Sequence, residues 1–526
     1  MYLIVFNFLI FSLYIFIISK KNLNILQQNF YNENNRFIKW GFNNFENVIK
    51  LDILLLILNI INVFINNKYI TLFNIFYILL FIYEKNKQKC EQVKIPFKVT
   101  NRVKRMIVTL IILYLIPFII YMFSKNEYLF YFVFSLLISI NFYVIWLSNF
   151  INKPIEKIVF LYYKNKAIKK ISKLNSLKVV GITGSYGKTS SKNILNDILS
   201  VKYNSITTPK NYNTQYGLII TINNYLDIFN DVFIAEMGAF KRGRIKLLCD
   251  LIKPKYGIIT SIGEAHLETF GSRKNIQKGK FELIESLPSD GVGILNMDDE
   301  YQANYKLNNK VNLIWIAIDN KEADLYAKNI VMDMNGMKFD VFFKKEKETH
   351  EFKTKLLGYS NVYNILAGIA FSRYVMNMDL ESICLGVSRI KPIEHRLEIK
   401  NRGNITIIDD AYNSNPVGSK MALDVLSMMD GEKIVVTPGM IELGNEQYEK
   451  NKEFGKYISK VADYVILVGE KQTKPILDGL LEKKYDKEKI SIINDVKDSF
   501  SIVDNMKLDS HAYILLENDL PDIFNE

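Results

Sequence analysis

An apolar strand that passes through a glycine-rich turn into a helix is the feature that most constrains the fold of this chain. Residues 179–190 read VVGITGSYGKTS and lead into an amphipathic stretch at 191–199. Backbone N–H groups in such a turn can face phosphate oxygens, and the helix N-terminus adds positive potential. A lysine reaches the terminal phosphates, and a threonine hydroxyl suits Mg²⁺. The predicted phosphate-binding residues are Gly184, Ser185, Gly187, Lys188, Thr189 and Ser190.

The spacing of this turn departs from the strict nucleotide-binding pattern. That pattern places a glycine five residues before Gly187, where this chain has Ile182. A purely structural turn is the alternative interpretation. The position of the turn between an apolar strand and an amphipathic helix favours the phosphate loop, because the motif requires that context.

The first 150 residues contain several long apolar runs that predict a membrane domain. Residues 1–19 carry no charge, and each of the three long runs could cross a bilayer as a helix. Two shorter runs are separated by Asn66-Asn67-Lys68, which predicts a helical hairpin, with a re-entrant or interfacial element as the alternative. We therefore predict about five spans within residues 1–150. The long runs are 1–19, 106–122 and 128–150, and the shorter ones are 51–65 and 69–83.

The distribution of charge orients this membrane domain. Lysines and arginines gather after the first run and before 106–122, whereas the opposite loops carry only Lys68 and Lys125. Cytoplasmic loops collect basic residues, which predicts an external N-terminus and a cytoplasmic location for everything after residue 150. Residues 1–150 hold 15 basic and 6 acidic residues of a chain with net charge +12. The basicity therefore predicts membrane lipids rather than nucleic acid as a partner.

The cysteines indicate a reducing compartment. Cys90, Cys249 and Cys384 are scattered, with neither metal-ligand spacing nor a paired framework. Such a set suits the cytosol.

The rest of the chain predicts a connector and two α/β domains. Residues 151–176 are lysine-rich and amphipathic, which predicts a helix near the bilayer. Short apolar strands then alternate with helical stretches, a pattern typical of a parallel sheet covered by helices. We predict a P-loop-type parallel-sheet ATPase domain at 177–394, with a small antiparallel insert at 324–355. A Rossmann-like α/β domain follows at 395–526, and the α-helical membrane bundle precedes both.

Two polar side chains follow neighbouring strands of the first α/β domain. Glu236 ends the strand 232–235, and His266 lies just after the next strand. Ligands bind beyond the carboxyl ends of parallel strands, so a carboxylate there is well placed for Mg²⁺. The alternatives are a capping or ion-paired glutamate and a structural histidine. Lys280 would by default be a surface lysine.

Further motifs follow in a fixed order. Together with the loop at 181–189, the succession resembles the Mur ligases, the ATP-dependent amide-bond-forming enzymes of peptidoglycan synthesis, and most closely their D-alanyl-D-alanine-adding branch. The phosphate loop of that family has the same offset, which accounts for Ile182. The motifs are TPKNYN at 208–213 with Gly217, EMGA at 236–239, IGEAHLE at 262–268, FGS at 270–272, LNMDD at 295–299, NVYN at 361–364, HRLE at 395–398 and DDAYNSNP at 409–416.

The resemblance implies that Lys188, Glu236, His266 and Lys280 are catalytic and that Thr189 binds metal. Lys188 and Thr189 would hold the ATP phosphates and a first Mg²⁺. Glu236 and His266 would hold a second Mg²⁺, and Lys280 matches the lysine that the family carbamylates to make an anionic bridge.

The resemblance also implies nucleotide and substrate contacts outside the loop. Asp409, Tyr412 and Asn415 would contribute from the C-terminal domain as it closes. The implied nucleotide contacts are Asn296, Asn361, Asn364, Arg396, Asp409 and Tyr412. The implied substrate contacts are Thr208, Asn211, Asn213 and Asn415.

Two departures from the family lie on the substrate side. Membrane spans stand where the family has its UDP-sugar-binding domain, and 515–522 replaces a Lys-Gly-Ser-rich motif. We expect a membrane-anchored carboxylate–amine ligase that works through an acyl phosphate and adds D-alanyl-D-alanine or a similar amine to a peptidoglycan precursor peptide. The alternatives are a ligase for a lipid-linked or polyglutamate-type envelope substrate, and a membrane protein with a regulatory nucleotide-binding domain.

Overall fold

The chain divides into two compact units in a computed structural model. The first unit is Met1–Tyr162 and the second is Tyr163–Glu526. The structure describes residues 2–29, 31, 35–44, 56–57, 60–61, 70–90, 97–333, 335–412, 415–441, 443–506 and 511–518.

The described part of the first unit is helical. Two of its helices, Phe6–Gln28 and Asn101–Ser124, are long and apolar enough to cross a membrane, and the bent pair formed by the last two helices would make a third. The predicted run 51–65 lies outside the described residues except for 56–57 and 60–61, so the five-span membrane domain stays a prediction. The helices are Tyr2–Gln28, Arg36–Asn43, Ile70–Cys90, Asn101–Ser124, Glu127–Ser139 and Asn141–Ile171, the last of which continues into the second unit.

The apolar run predicted to span at 128–150 is bent in the structure. Two helices, Glu127–Ser139 and Asn141–Ile171, meet there at an angle of 82°. The buried Asn141 amide at the break donates to Ser19 Oγ and Tyr114 OH, both at 2.8 Å, and accepts from Asn22 at 2.7 Å. These bonds satisfy a polar group that would be costly to bury alone. The predicted connector is therefore the end of a long helix that stops at Ile171.

A nine-stranded sheet forms the centre of the second unit. Its order is β2-β3-β1-β4-β5-β6-β7-β8-β9, parallel from β2 to β7 and antiparallel from β7 to β9. The parallel sheet is thus confirmed, and the antiparallel segment predicted at 324–355 extends the edge of that sheet. The strands are β1 Lys178–Thr183, β2 Ser205–Thr207, β3 Val232–Glu236, β4 Tyr256–Ile259, β5 Val292–Asn296, β6 Asn312–Ala317, β7 Leu325–Asp333, β8 Gly336–Phe343 and β9 Glu348–Thr354.

The central strand β1 places the phosphate loop at the crevice of this sheet. Both neighbours, β3 and β4, run parallel to it, and β3 is buried at every residue, as expected where helices cover both faces. The loop therefore leaves the sheet between two other carboxyl strand ends. The surrounding helices are Lys188–Leu199, Gln215–Asn224, Arg244–Ile252, Leu267–Phe270, Arg273–Glu285, Glu300–Ala303, Tyr359–Ala370 with the π-helix Phe371–Val375, and Leu380–Ser388.

A second, six-stranded sheet follows toward the C-terminus, in the order β10-β11-β15-β12-β13-β14. Only β10 is antiparallel to its neighbour. The strands are β10 Glu398–Arg402, β11 Ile405–Asp410, β12 Glu432–Thr437, β13 Tyr464–Val468, β14 Ile490–Ile493 and β15 Ala512–Glu517. The helices are Pro416–Ser427, Gln447–Val461, Glu470–Glu482 and Lys497–Asn505, with 3₁₀ turns at Gly444–Glu446 and Lys487–Lys489.

Candidate active site

The loop after β1 is fixed to the strand end of β4. Ser185 N–H donates to the Ser261 carbonyl at 2.8 Å, and its hydroxyl donates to the Gly263 carbonyl at 3.2 Å. Tyr186 N–H donates to Ser261 Oγ at 3.2 Å. These bonds give the loop one shape before any ligand arrives, and that preorganisation lowers the cost of binding.

Two glycines of the loop have no room for a side chain. Gly187 has φ 79° and precedes the helix Lys188–Leu199 as its N-cap. A Cβ on Gly187 would lie 3.0 Å from Asn364 Oδ1, and one on Gly184 would lie 1.9 Å from Thr260 Oγ1. The close packing of the loop against Thr260 and Asn364 therefore favours glycine at both positions.

Lys188 lies over the loop with its ammonium group held by backbone. Its Nζ donates to the carbonyls of Gly184 at 2.8 Å and Ser185 at 3.0 Å. Burial lowers the pKa of Lys188 to about 8, an effect that Glu236 opposes and Arg396 strengthens. A cation with few compensating charges attracts an anion strongly, so the position suits a phosphate group.

Glu236 at the end of β3 is buried and held on both carboxylate oxygens. Its Oε2 accepts from Lys192 Nζ at 3.0 Å, and its Oε1 accepts from Asn213 Nδ2 at 3.2 Å. Its backbone N–H donates to Thr208 Oγ1 at 3.1 Å. The Glu236 carboxylate is thus fixed in one orientation at the carboxyl end of strand β3.

Lys192 is a site residue that sequence reasoning missed. Its side chain is 2% exposed, and its ion-pair partner, Glu236, lies 44 residues further along the chain. A signal was present, because Lys192 falls on the same helical stripe as the fully buried Leu195 and Leu199.

A cavity of about 300 Å³ beside the phosphate loop, the loop cavity, brings the predicted metal residues together. Thr189, Glu236 and His266 all line it, as do Lys188 and Asn213. His266 has φ 60°, an uncommon backbone conformation for a residue other than glycine that recurs at functional sites.

A second cavity, the side cavity of about 430 Å³, contains the predicted asparagines. Asn296, Asn361 and Asn364 line it with Ser190. Asn364 Oδ1 accepts from Ser191 Oγ at 2.7 Å, and its Nδ2 donates to Asn361 Oδ1 at 3.3 Å. These amides are therefore tied to the loop helix, where they can face the rest of a bound nucleotide.

A third cavity, the wide cleft of about 990 Å³, lies between the two sheets of the second unit. Asn211 and Tyr412 line both it and the loop cavity, and Asn415 lines the loop and side cavities. Thr208 is fully buried and lines none of the three. Asn211, Tyr412 and Asn415 thus line cavities. Thr208 instead accepts a hydrogen bond from the Glu236 backbone N–H.

Arg396 is the predicted residue that lines all three cavities. Burial lowers the pKa of its guanidinium, against the opposing charges of Asp410 and Glu236. The Arg396 guanidinium therefore interacts electrostatically with Glu236, at a strand end of the first α/β domain, and with Asp410, at a strand end of the second.

Asp409 lies apart from the cavities. His395 Nδ1 bonds to its Oδ2 at 2.8 Å and Lys400 Nζ donates to the same oxygen at 2.6 Å, while Lys400 also contacts Glu398 Oε2 at 3.0 Å. Burial would raise the pKa of Asp409, but Lys400 and His395 hold it below its ordinary value. The cluster could hold a cation by its geometry, yet the lysine already neutralises it. Its neighbour Asp410 lines the side cavity instead, so the predicted nucleotide contact of Asp409 stays a prediction.

Lys280 is deeply buried, unlike an ordinary surface lysine. It is 1% exposed, and its Nζ lies 3.4 Å from the Ala239 carbonyl and 5.6 Å from the Phe270 ring centre. Burial, and then the charge of Lys188, lowers the pKa of Lys280 well below its ordinary value, with Glu282 opposing. The side chain therefore favours the neutral amine. It lines none of the three cavities.

The residues of the loop cavity fit a nucleotide and a magnesium ion. A hydroxyl, a carboxylate and an imidazole meet there, and oxygen ligands are those that Mg²⁺ prefers. Ser185, Gly187 and Thr189 of the loop line the cavity, and Lys188 supplies a cation.

A phosphate loop on a parallel sheet, facing a second α/β domain across a cleft, defines a two-domain nucleotide-binding protein. The chain matches the Mur ligase middle domain over residues 182–372 and the Mur ligase, glutamate ligase domain over residues 395–515. It is 32% identical over 330 residues to the UDP-N-acetylmuramoyl-tripeptide–D-alanyl-D-alanine ligase of Bacillus subtilis, which covers 62% of this chain and 70% of that protein. The chain belongs to the Mur ligase family.

Other relatives agree with this assignment. The enzyme of the same name from Escherichia coli is 30% identical over 296 residues, which cover 56% of this chain and 65% of that protein. The MurF ligase of Thermotoga maritima in complex with ADP shares the fold, with a TM-score of 0.61 at 24% identity over 68% of this chain and 80% of that one. The chain thus spans about two thirds of the length of these sequence relatives. The predicted resemblance is confirmed.

Proposed function

We propose that the protein is an ATP-dependent carboxylate–amine ligase that adds D-alanyl-D-alanine or a similar amine to a peptidoglycan precursor peptide. The observation that carries the proposal is the loop cavity, where Lys188, Thr189, Glu236 and His266 meet beside Asn213. The activity for which the sequence relatives are named supports the choice of amine and acyl substrate.

The reaction begins with attack of the substrate carboxylate on the ATP γ-phosphate, which forms an acyl phosphate and releases ADP. The amine then attacks the acyl carbon, and inorganic phosphate leaves. Thr189, Glu236 and His266 would hold Mg²⁺, whose positive charge would offset repulsion between the reacting oxyanions. Lys188 adds a fixed cation at the same place. Arg396 and Tyr412 face it across the loop cavity, so approach of the C-terminal domain would exclude the water that hydrolyses acyl phosphates.

We also propose a membrane location for this ligase. Residues 1–150 form a membrane domain with about five spans, 151–176 a connector near anionic lipid, and 177–394 and 395–526 the cytoplasmic catalytic domains. A lipid-linked or polyglutamate-type substrate remains the second candidate, because membrane spans occupy the place of the family's UDP-sugar-binding domain. A regulatory nucleotide-binding domain is the third. The buried Glu236 and Lys280 count against it, since nucleotide sensing alone needs no such pair.

Acceptor-dependent ADP release tests the proposal. We expect the full-length protein in lipid to hydrolyse ATP slowly until both a peptide carboxylate and an amine such as D-alanyl-D-alanine are supplied, and the Lys188→Ala variant to lose all turnover. The lipid-linked form of the peptide, supplied in parallel, separates the first two candidates. ATP hydrolysis that Lys188→Ala abolishes but no acceptor stimulates would contradict the ligase assignment and favour the regulatory domain.

Carbamylation of Lys280 gives a second test. A buried neutral amine can attack CO₂, forming an N–C bond with loss of a proton, and the product is an anion that could support a metal. We expect Lys280→Ala to lower kcat by about 10- to 100-fold and to regain part of it with added acetate. Lys278→Ala, on the same helix but exposed, is the control and should match the parent. Normal activity of Lys280→Ala would remove this lysine from the site.

A further inference from the structure

The ammonium group of Lys192 joins three segments that meet at the cleft. It lies on the helix that follows the phosphate loop, and it uses its three N–H bonds on three different acceptors. These are the Thr208 carbonyl at 2.9 Å, the Lys210 carbonyl at 2.5 Å and Glu236 Oε2 at 3.0 Å. No other side chain among the described residues is recorded with hydrogen bonds to both Glu236 and the segment at 208–210.

Burial of the Lys192–Glu236 ion pair requires well-aligned hydrogen bonds to both charged groups. The side chains of Lys192 and Glu236 are 2% and 1% exposed. Two charges taken out of water are tolerated only when their geometry is good and their remaining hydrogen bonds are made. The lysine meets that condition with the two backbone carbonyls, and the glutamate meets it with Asn213 Nδ2 at 3.2 Å.

The backbone is strained at Lys210, whose carbonyl accepts one of the Lys192 hydrogen bonds. Lys210 has φ 47°, a conformation that side chains other than glycine rarely adopt. Such strain persists only where surrounding contacts impose it, and it recurs at functional sites. The contact here is the Lys192 hydrogen bond, which turns the Lys210 carbonyl inward while Lys210 and Asn211 line the wide cleft.

We infer that Lys192 is a positioning residue that sets the Glu236 carboxylate for the metal and holds the 208–213 segment in the shape that receives the acyl substrate. This inference rests on the proposed function for the roles of metal and acyl substrate. Lys192 is buried and lines none of the three cavities, so it would act through Glu236 and the 208–213 segment. Its substitution should therefore change metal and acyl-substrate binding together while leaving the phosphate loop's own contacts in place.

The test compares Lys192→Met and Lys192→Arg with the parent in the full-length protein. Mn²⁺ binding in the presence of ADP is measured by electron paramagnetic resonance, and KM is measured separately for ATP and for the acyl peptide. For Lys192→Met we expect Mn²⁺ affinity to fall and the acyl-peptide KM to rise, each by about tenfold or more, while the ATP KM stays within about threefold. Lys192→Arg keeps the charge but cannot aim one nitrogen at three acceptors, so it should fall between Lys192→Met and the parent.

The controls separate positioning from general loss of structure. Lys202→Met removes a solvent-exposed lysine that pairs with Asp379 and should leave every quantity unchanged. If Lys192→Met binds Mn²⁺ like the parent, or loses metal, ATP and thermal stability in equal measure, the inference fails. If that variant does not fold, Lys192→Arg decides, and parental Mn²⁺ affinity with a parental acyl-peptide KM overturns it. A parent that binds Mn²⁺ and ADP but turns over no acceptor refutes the proposed function, and the binding comparison still decides the role of Lys192.

Discussion

Gly187 shows at the scale of one residue how the backbone serves the site. Its φ of 79° lies in the region that only glycine enters without strain, and Asn364 closes the space above it. Gly243 offers a natural comparison, because it also caps a helix, with φ 82°, but has nothing within 4 Å of its Cβ position. The two glycines thus separate backbone strain from crowding.

Alanine at these two positions should have different consequences. We expect each variant to lose about 1–2 kcal/mol of stability from left-handed strain. Only Gly187→Ala should also weaken ADP binding, by about tenfold or more, because the methyl group pushes Asn364 and the cradle apart. Thermal unfolding and calorimetric titration with ADP measure the two effects. Equal ADP affinity in both variants would show that Gly187 serves the turn alone.

The sequence predicts residues whose chemistry follows from local pattern. The loop, Glu236 and His266 lie at strand ends that apolar runs reveal, and the structure gathers them in one cavity. Lys192 was missed because its role depends on a contact with Glu236, 44 residues away, which local periodicity does not encode. Asp410 lines the side cavity and Asp409 does not, because alternate residues of a strand face opposite sides, so the nucleotide contact of Asp409 stays a prediction.

At the scale of elements, the paired strands β11 and β15 end in two facing acids. Asp410 and Glu517 are in register, and both are almost completely buried. Ser419 Oγ donates to Glu517 Oε1 at 2.5 Å, whereas Glu517 Oε2 has no recorded hydrogen bond within the described chain. Burial, and then the charge of Asp410, raises the pKa of Glu517 well above its ordinary value. Burial beside Asp410 therefore favours the protonated form of Glu517.

This raised pKa makes stability depend on pH. A folded-state pKa above the unfolded value contributes stability at low pH, which is lost as the pH rises through the folded pKa. Glu517→Gln keeps the shape and cannot ionise, so it should match the parent in acid and exceed it increasingly at alkaline pH. The gain is at most about 1.4 kcal/mol per pH unit, the slope for one proton. Thermal unfolding between pH 5 and 10 in detergent measures it, with the exposed Glu488→Gln as control. A constant difference across that range would show that Glu517 is ionised throughout.

Elements with continuous Val and Ile runs were predictable, and polar or bent ones were not. The runs behind β1, β3 and β12 are typical of strands buried on both faces. Strand β10 reads EIKNR and pairs only at a sheet edge, so it carries little apolar signal. The helix break before Asn141 depends on partners on two distant helices, Ser19 and Tyr114, which no local window contains.

At the scale of the whole molecule, the orientation of the N-terminal domain can be tested with one matched pair. Lys39 and Lys125 are both exposed, and the charge pattern places them on opposite sides of a bilayer. In a cysteine-free background, we expect Lys125→Cys to react with a membrane-impermeant maleimide in intact cells and Lys39→Cys to react only after lysis. Labelling of Lys39→Cys in intact cells would reverse the orientation and place the phosphate loop away from cytoplasmic ATP.

The joint that precedes β10 has a mechanical consequence for the second unit. Arg396 is flanked by His395 at φ 58° and Leu397 at φ 50°, two left-handed residues with side chains. Both φ angles lie outside the range that residues with side chains usually adopt. A rotation about either one would move the Arg396 guanidinium, which lines all three cavities. A ligand that moved Arg396 in one cavity would therefore change the lining of the other two.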